Sequence, residues 1–375
     1  MELETPMPSE ITLQLPHKKN NPRNSEGAFI DLADGRVLFV YTRYYGNSWS
    51  DNAPATISAL TSGDGGLTWS KRSRVVVANE GGFNVMSPSL LRLDDQRLGL
   101  FYLKKNHLHD CRLFLRTSDD EGRTWSEATR CIPAPGYFVV NNDRVVRLQS
   151  GRLLIPAAYH RPKLEGETTA IEGWDWRAIA LFYHSDDEGR TWAESDDWWG
   201  LPVENRSGMQ EPGLVELKDG SLYAWARTDT GRQWETTSRD KGVSWSPPQP
   251  AQFLSPCSAL SMKRIPSTGD LLAVWNDHRP KWKLGKPFRS SWGRTPLVAA
   301  ISSDEGKNWR KAKLLETDRH RGFCYPAIHF HKDAVLLAYS CGGVGGGALQ
   351  DLCVRRVGLD WLYGPSRKSS KKISP

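Results

Sequence analysis

The chain has 375 residues and a formal net charge of +7, with 38% hydrophobic and 25% charged residues. This length suits one large domain or two small ones, and no run of about 20 apolar residues indicates a membrane-spanning helix. Gly (33), Pro (23) and Trp (16) are frequent, which is typical of many short strands joined by tight turns. Because no helical period is sustained, the predicted class is all-β.

The chain ends, the charge pattern and the cysteines predict the location, partners and cofactors of the protein. Met1–Pro6 is acidic and lacks the apolar core of a secretory signal, so we expect a cytoplasmic protein. Residues 363–375 are predicted to be a basic, disordered tail. No basic stripe with interleaved aromatic residues occurs, so we expect neither nucleic acid nor membrane as a partner. The six cysteines form no CxxC pair, and no nucleotide, flavin or zinc motif appears, so neither a metal nor a cofactor is predicted. The sequence leaves the oligomeric state open.

One motif, Ser-x-Asp-x-Gly-x-Thr-Trp, recurs five times with small changes. The copies are Ser62–Trp69, Ser118–Trp125, Ser185–Trp192, Ser238–Trp245 and Ser302–Trp309. The aspartate can bond amides of its own turn, the glycine permits a left-handed backbone, and the tryptophan offers a large apolar surface. The motif therefore predicts a hairpin-turn staple rather than a calcium or catalytic site.

A second repeat, a strand, a tight turn and another strand, occurs upstream of each box. Its six copies begin at Glu26, Ser87, Asn142, Glu211, a looser copy near Ser255, and Tyr325. Six copies predict a six-bladed β-propeller over residues 21–362. The segment 1–20 could contribute a strand near Ile11–Leu15 that closes the ring and removes a free sheet edge.

The turn residues set the register of these repeats. Nine positions separate Glu26 from Gly35 and Glu211 from Gly220, and the same count leads back to Ser87, Asn142 and Tyr325. These residues are therefore predicted to share one position, the beginning of the first strand of each blade. The fifth blade offers Ser255 or Ser258, because its longer turn blurs the register.

Alternating strand directions divide the side chains between two faces of the propeller. The beginnings of first strands and the ends of second strands share one face, whereas the boxes lie on the other. The first group predicts a polar channel mouth suited to a small polar ligand such as a sugar. Its charged and polar members are Glu26, Glu211, Tyr325, Asn142, Asp143, Arg43, His160 and Arg227.

At these residues the chain resembles the sialidase (neuraminidase) superfamily of Asp-box glycosidases. The stretch from Thr42 to Trp69 is similar to the family segment that carries the acid/base aspartate, which maps onto Asp51. The family's glutamate maps onto Glu211, and its tyrosine nucleophile onto Tyr325. Two family arginines map onto Arg227 and Arg294, and we expect these two, with Arg43 from the same face of the propeller, to anchor a carbohydrate substrate. In that family the tyrosine, assisted by the glutamate, attacks the anomeric carbon.

One family feature is missing. Sialidases begin the first blade with Arg-Ile-Pro, whose arginine helps to grip the substrate carboxylate, but here the matching stretch is Ser25-Glu26-Gly27. The sequence therefore predicts a sialidase-like hydrolase for an acidic or highly hydroxylated sugar rather than for sialic acid specifically.

Two other functions stay open. Glu26 with Asp51, or His160 with Tyr325, could serve as an acid/base pair for hydrolysis or β-elimination of a uronic-acid glycan. Alternatively, the propeller binds a glycan or a protein without catalysis, since a fold does not fix a function.

Overall fold

The computed structural model describes residues 9–163 and 173–364. Met1–Pro6 and residues 365–375 of the predicted tail lie outside these ranges. The regular secondary structure of the described residues is nearly all strand, with one short helix, α1 (Leu359–Tyr363), and two 3-10 turns, Pro280–Trp282 and Arg289–Ser291. Across the described ranges, no helix has the length and apolar character needed to cross a membrane.

Four sheets each contain four antiparallel strands. The first is β2 (Asn24–Asp31), β3 (Val37–Tyr44), β4 (Ala55–Ser62) and β5 (Arg74–Val77). The second is β15 (Gln210–Glu216), β16 (Leu222–Arg227), β17 (Arg232–Ser238) and β18 (Gln249–Leu254). The third is β19 (Ser261–Arg264), β20 (Leu271–Asn276), β21 (Leu297–Ser302) and β22 (Arg310–Glu316). The last is β23 (Cys324–His331), β24 (Ala334–Ser340), β25 (Leu352–Gly358) and β1 (Glu10–Leu15).

The fifth sheet has nine strands and consists of two antiparallel groups. The first group is β6 (Asn84–Arg92), β7 (Leu98–His107), β8 (Asp110–Ser118) and β9 (Thr129–Arg130). The second is β10 (Tyr137–Val139), β11 (Val146–Arg147), β12 (Leu153–Pro162), β13 (Trp174–Ser185) and β14 (Ala193–Glu194). One parallel pair, Tyr137 with Cys111, joins the two groups.

Apolar clusters lie between the sheets and follow one another in a circle. Phe29 and Phe39 of the first sheet pack with Ala338 and Val354 of the last sheet. A second cluster joins the first sheet to β6 and β7, and a third joins β12 to β16. Two more clusters join the β15–β18 sheet to the β19–β22 sheet, and the β19–β22 sheet to the last sheet. Each sheet therefore buries its apolar faces against its neighbours, which is the main source of stability in such an arrangement.

The Asp-box motifs form self-contained turns. In the first box, Asp64 Oδ1 accepts the Thr68 amide at 2.8 Å and Oδ2 accepts the Thr68 hydroxyl at 2.5 Å, while the Ser62 hydroxyl accepts the Gly66 amide at 2.8 Å. Equivalent bonds recur in the other four boxes. The aspartates thus satisfy amides of their own turns, as hairpin staples do.

The first strands carry a repeated backbone irregularity. Glu26, Ser87, Glu211 and Tyr325 have φ angles of 52°, 54°, 47° and 57°. Each lies at a register shift between the first and second strands of its sheet. Such bulges redirect one side chain out of the alternating pattern, and a left-handed backbone is uncommon for residues other than glycine. Four equivalent side chains are therefore turned in the same way.

The third repeat differs from the prediction by one residue. Asp143, with φ of 58°, has the left-handed backbone there, rather than Asn142. The turn residue Gly151 has φ of 90°, so the step from bulge to turn is one residue shorter than in the other repeats. The register assigned to Asn142 was therefore wrong, because counting from a turn glycine assumes strands of equal length.

Candidate active site

A cavity of about 210 Å³ collects side chains from most of the sheets. Six of the ten predicted site residues line it: Glu26, Asp51, His160, Glu211, Arg227 and Tyr325. They lie up to 299 positions apart in sequence, between Glu26 and Tyr325, and the bulged first strands and the ends of second strands bring them together. The wall also includes Lys105, Tyr137, Trp174 and Trp176, so it combines charges with aromatic faces, as sugar-sized sites do.

Tyr325, Glu211 and Arg227 form a hydrogen-bonded group at one side of the cavity. The Tyr325 hydroxyl donates to Glu211 Oε1 at 3.2 Å, and Arg227 Nη2 contacts the same oxygen at 3.0 Å. Arg227 Nη1 also donates to the Tyr325 hydroxyl oxygen at 3.4 Å. Glu211 Oε2 is buried and has no hydrogen-bond partner among the described residues. The carboxylate therefore accepts both the tyrosine proton and the Arg227 contact through Oε1.

Electrostatics at Tyr325 suit a hydroxyl that loses its proton only when a base assists. Burial raises the pKa of this hydroxyl above its usual range; the Arg227 charge opposes that shift and the Glu211 charge adds to it. Arg294 also lies near the ring, with its guanidinium carbon 5.1 Å from the ring centroid. Two fixed cations therefore stand ready to stabilise a developing negative charge on the phenol oxygen.

Arg227 and Arg294 also line a second, more open cavity of about 690 Å³ beside the first. Arg294 is 8% exposed, and its Nη1 contacts the Cys324 sulfur at 3.1 Å. Because both arginines are buried cations, they can offer charge-assisted bonds to an anionic group that spans the two cavities.

Arg23, which the sequence analysis missed, holds the opposite side of the first cavity. Its guanidinium donates to Asp51 Oδ1 at 2.5 Å, to Glu26 Oε1 at 3.1 Å and to the Ser25 hydroxyl at 3.1 Å. The Tyr44 ring lies under the cation at 4.6 Å. Arg23 is 1% exposed, so its guanidinium donates hydrogen bonds to these protein groups and is not accessible to a ligand.

The two carboxylates that share Arg23 have opposite pKa shifts. Burial raises the pKa of Glu26, although Arg23 and the Ser87 hydroxyl, which donates at 2.6 Å, oppose the shift. At Asp51 burial also disfavours the charge, but Arg23 and Lys105 outweigh it and lower the pKa to about 2. The Asp51 side chain is 63% exposed, so it is ionised and accessible, whereas Glu26 is covered and holds a proton more readily.

The Asp51 loop is fixed through its backbone. Asn84 Nδ2 and Lys105 Nζ donate to the Asp51 carbonyl at 2.8 and 2.9 Å. Lys105 is 3% exposed and lies 5.5 Å from the centre of the Tyr137 ring. The sequence analysis also missed Lys105, a buried cation on the cavity wall. Asp51 is therefore positioned by two neighbouring strands rather than left on a free loop.

His160 lines the cavity as a neutral imidazole. Its Nδ1 lies 2.9 Å from the Asp175 carbonyl oxygen, which can only accept, so Nδ1 carries the proton. Burial lowers the pKa of His160 to about 4, and the Arg227 charge adds to this effect. The Trp174 ring packs edge-on at 4.3 Å. His160 therefore offers a shaped wall more readily than a mobile proton at neutral pH.

Four predicted residues do not line this cavity: Arg294, which lines the second cavity, and three others. Asn142 Nδ2 donates to the carbonyls of Gly27 and Tyr325, so it ties two first strands together. Asp143 accepts the Ile328 amide and pairs with Lys263 at 2.6 Å, on the wall of a different cavity. Both side chains bond groups of neighbouring first strands or sheets, and their part in substrate binding stays a prediction.

Arg43 is the third, and it faces away. It lies next to Tyr44 on β3, and neighbouring side chains of a strand point to opposite faces. Tyr44 contacts Arg23 beside the cavity, whereas the Arg43 charge acts on the Tyr41 hydroxyl. Arg43 therefore does not line the cavity, where the arginine beside Asp51 is Arg23, and its role as a substrate anchor stays a prediction.

Comparison with known proteins identifies the family. The BNR repeat-like domain matches residues 50–337, more than half of the chain. The chain is a BNR-repeat protein of the sialidase superfamily. It is 26% identical over 352 residues to a sialidase of Micromonospora viridifaciens, covering 83% of this chain and 49% of that protein. It is 32% identical over 156 residues to an anhydrosialidase of Macrobdella decora, covering 39% and 18%. The BNR-repeat chain thus spans less than half the length of these relatives.

Solved structures show the same fold. An intramolecular trans-sialidase from Ruminococcus gnavus matches with a TM-score of 0.68 and 15% identity, covering 95% of this chain and 97% of that one. A leech intramolecular trans-sialidase matches with a TM-score of 0.69 and 16% identity, covering 95% and 71%. At such identities the likeness shows that this BNR-repeat protein has the fold of sialidases, and no more.

Proposed function

We propose that this BNR-repeat protein is a sialidase-like glycoside hydrolase that acts on an acidic or highly hydroxylated sugar. The observation that carries the proposal is the Tyr325–Glu211–Arg227 group, in which one carboxylate oxygen accepts the tyrosine proton and two cations flank the ring. The relatives' names, which are those of sialidases, favour the same chemistry.

Tyr325 is the nucleophile in this proposal. Its hydroxyl oxygen attacks the anomeric carbon while Glu211 takes the proton, and Arg227 and Arg294 stabilise the charge on the phenol oxygen. The bond from the anomeric carbon to the leaving oxygen breaks, and that oxygen receives a proton from Asp51, which must first take this proton from solvent because it is ionised in the resting site. Water then attacks the anomeric carbon and loses a proton to Asp51, the bond from that carbon to the Tyr325 oxygen breaks, and Glu211 returns its proton to that oxygen.

Two arginines set the substrate class. Arg227 and Arg294 are the anchors for an anionic group, and Lys105 adds a third cation on the cavity wall. In the family, the first blade has an arginine here that helps to grip the substrate carboxylate. In this chain the matching stretch carries Glu26, whose carboxyl group disfavours an anion near Arg23. A sugar with one acidic group near Arg227 and Arg294, and hydroxyl groups toward Glu26, fits this charge pattern.

We also propose that the sheets are the six blades of one propeller spanning residues 21–362. The nine-stranded sheet supplies two blades, β6–β9 and β10–β14, joined by their single parallel pair. The circular order of the apolar clusters and the pairing of β1 with β25 support a closed ring.

Replacing Tyr325 by Phe tests the nucleophile. The substrates are an aryl α-sialoside and an aryl uronide, and release of the aryl group is measured. We expect wild type to cleave at least one of them, and Tyr325→Phe to lose at least about 1,000-fold in kcat with little change in Tm. The matched control is Tyr223→Phe, which removes a tyrosine–glutamate hydrogen bond of 2.7 Å outside the cavity.

Each result decides between functions. Turnover by Tyr325→Phe at the wild-type rate contradicts the nucleophile assignment. Sugar binding by wild type without release from any substrate indicates a glycan-binding protein instead.

A second candidate rests on the opposite pKa shifts of Glu26 and Asp51. A carboxyl group that holds its proton beside an ionised carboxylate is a pattern of acid/base pairs. Glu26 would then donate a proton and Asp51 accept one, in hydrolysis or β-elimination of a uronic-acid glycan. Elimination leaves an unsaturated sugar that absorbs in the ultraviolet. Loss of activity in Glu26→Gln, with Tyr325→Phe unaffected, would select this mechanism.

A further inference from the structure

Asp31, His329 and His331 form a compact group outside the candidate active site, called here the seam cluster. Asp31 is the last residue of β2 in the first sheet, and both histidines lie on β23 in the last sheet. Asp31 Oδ1 lies 2.9 Å from His329 Nε2 and 2.8 Å from His331 Nδ1. One nitrogen of each ring and one carboxylate oxygen lie within 4.8 Å of one another.

The seam cluster lies far from the cavity. Asp31 follows Glu26 by five residues on β2, and His331 follows Tyr325 by six on β23. At about 3.3 Å per residue, these steps correspond to roughly 16–20 Å along each strand. The group therefore stands at the opposite end of the two strands, near the first Asp box, and its chemistry is independent of the proposed hydrolysis.

Packing holds both rings in orientations that present nitrogen to Asp31. The His329 ring stacks on Phe29, with centroids 5.9 Å apart. The His331 ring packs against Gly65 of the first Asp box so closely that a Cβ there would lie 3.0 Å from its Cδ2 atom. His331 is consequently fixed with Nε2 toward the box and Nδ1 toward Asp31.

The spacing of the three atoms is close to that of a metal site. Ligands at about 2.0–2.1 Å from a tetrahedral Zn²⁺ lie about 3.3 Å from one another. The nitrogen–oxygen distances of 2.8 and 2.9 Å would therefore lengthen by roughly half an ångström on binding. Small rotations of the side chains achieve this, because the Asp31 side chain is 46% exposed.

Ligand type and exposure favour zinc over other divalent ions. Two imidazoles and one carboxylate suit Zn²⁺, whereas Mg²⁺ and Ca²⁺ prefer oxygen ligands alone. The histidine side chains are only 16% and 7% exposed, so the open side is that of Asp31. One water fits there as the fourth ligand, which agrees better with a four-coordinate ion than with an octahedral one.

We propose that the seam cluster binds one Zn²⁺ through Asp31 Oδ1, His329 Nε2 and His331 Nδ1, with water as the fourth ligand. The ion connects β2 to β23, and so joins the first sheet to the last where the packing circle closes. Arg92 does not repel it, because this arginine, which donates to the Asp31 carbonyl, is paired with Glu121.

Zinc titration of the untagged full chain tests the site. After dialysis against EDTA, binding is measured by calorimetry and by thermal melting. We expect one Zn²⁺ per chain, and a rise in Tm of roughly 3 °C at a free concentration about 100 times the Kd. Co²⁺ in place of Zn²⁺ should give the visible absorption bands of a four-coordinate ion.

Substitutions separate the site from surface binding. Asp31→Asn and His331→Gln should abolish the stoichiometric binding and the rise in Tm. His320→Gln, at an exposed histidine stacked on Phe288, and Asp34→Asn, at a carboxylate paired with Arg36, should keep both. The proposal is overturned if wild type binds no stoichiometric Zn²⁺, or if binding survives Asp31→Asn. It is equally overturned if the substitutions lower Tm while EDTA and Zn²⁺ leave wild type unchanged, because the cluster is then a hydrogen-bonded clasp.

Discussion

Arg23 connects the two carboxylates with the opposite pKa shifts. Its guanidinium contacts Asp51 and Glu26 while almost fully buried, and breaking a buried charge group leaves uncompensated charge behind. We expect Arg23→Gln to lower the free energy of unfolding by about 3 kcal/mol. The same change should raise the pKa of Asp51, because Arg23 is the leading attractive charge upon it.

Denaturant unfolding measures the free energy of unfolding, and the acidic limb of a pH–rate profile reports the pKa of Asp51. Arg23→Lys retains the positive charge without the two-pronged geometry and should fall between wild type and Arg23→Gln. An unchanged acidic limb in Arg23→Gln would show that Arg23 does not control Asp51.

His160 predicts a specific dependence of stability on pH. Its pKa is about 4 in the folded protein against an ordinary value of 6.5. Between those values the unfolded chain binds the proton and the folded one does not, so stability falls as pH falls. The loss amounts to at most about 3 kcal/mol from pH 6.5 to pH 4.

Unfolding free energies measured across this pH range check the prediction. The slope should be shallower in His160→Gln, whereas His320→Gln should retain the wild-type slope. Equal slopes for wild type and His160→Gln would contradict the buried, neutral histidine.

At the level of single residues, the sequence predicted the centre of the site better than its supports. Tyr325, Glu211 and Glu26 could be aligned because each precedes a turn at a fixed spacing. Arg23 precedes the repeat, and Lys105 lies beyond the point at which the second strand was expected to end, so no repeated spacing pointed to either. The His329-Phe330-His331 alternation was visible, but its partner Asp31 comes from a strand about 300 positions away.

The Asp-box turns show how elements fit against each other. Gly66 has φ of 85°, and a Cβ there would lie 2.5 Å from Leu336 Cδ2 in the last sheet. Gly35 has φ of 81° and open space around it. Both glycines relieve the same backbone strain, but only Gly66 also allows two sheets to approach.

Substituting each glycine by alanine separates these effects. We expect Gly35→Ala to cost about 1–2 kcal/mol of stability from the left-handed backbone alone. Gly66→Ala should cost about 1–3 kcal/mol more, because Leu336 is fully buried and cannot move aside easily. Thermal and denaturant unfolding give both values, and equal losses would show that the close approach to Leu336 is unimportant.

At the scale of the whole molecule, the N-terminal strand joins the beginning of the chain to its end. β1 pairs with β25, Leu13 and Leu15 pack into the cluster between the first and last sheets, and Trp69 Nε1 donates to the Thr12 hydroxyl at 3.3 Å. A strand from the beginning of the chain thus completes the sheet formed by its end. The sequence suggested such a strand because the last repeat, from Tyr325, is not followed by an Asp box and needs a further strand to complete its sheet. No sequence feature indicated that two groups of strands would join into one nine-stranded sheet.

Weakening β1 should therefore affect both sheets. We expect the double variant Leu13→Ala/Leu15→Ala to lose about 2–3 kcal/mol, less than for fully buried leucines. Hydrogen exchange should accelerate in β25 and in β2 together. Val75→Ala, at a side chain 49% exposed, is the control and should change stability by less than about 0.5 kcal/mol. Faster exchange confined to β1 would show that closure does not depend on it.

The bulged first strands have a consequence for anyone who engineers this protein. Glu26, Ser87, Glu211 and Tyr325 each occupy a backbone shape that glycine adopts freely and that costs other residues roughly 1–3 kcal/mol. Glycine would relieve this backbone strain, but at Glu26, Glu211 and Tyr325 it would also remove the side chains proposed to do the chemistry and leave their buried partners unpaired. Variants with higher thermal stability should therefore be kept only if each round of selection also requires formation of the reaction product.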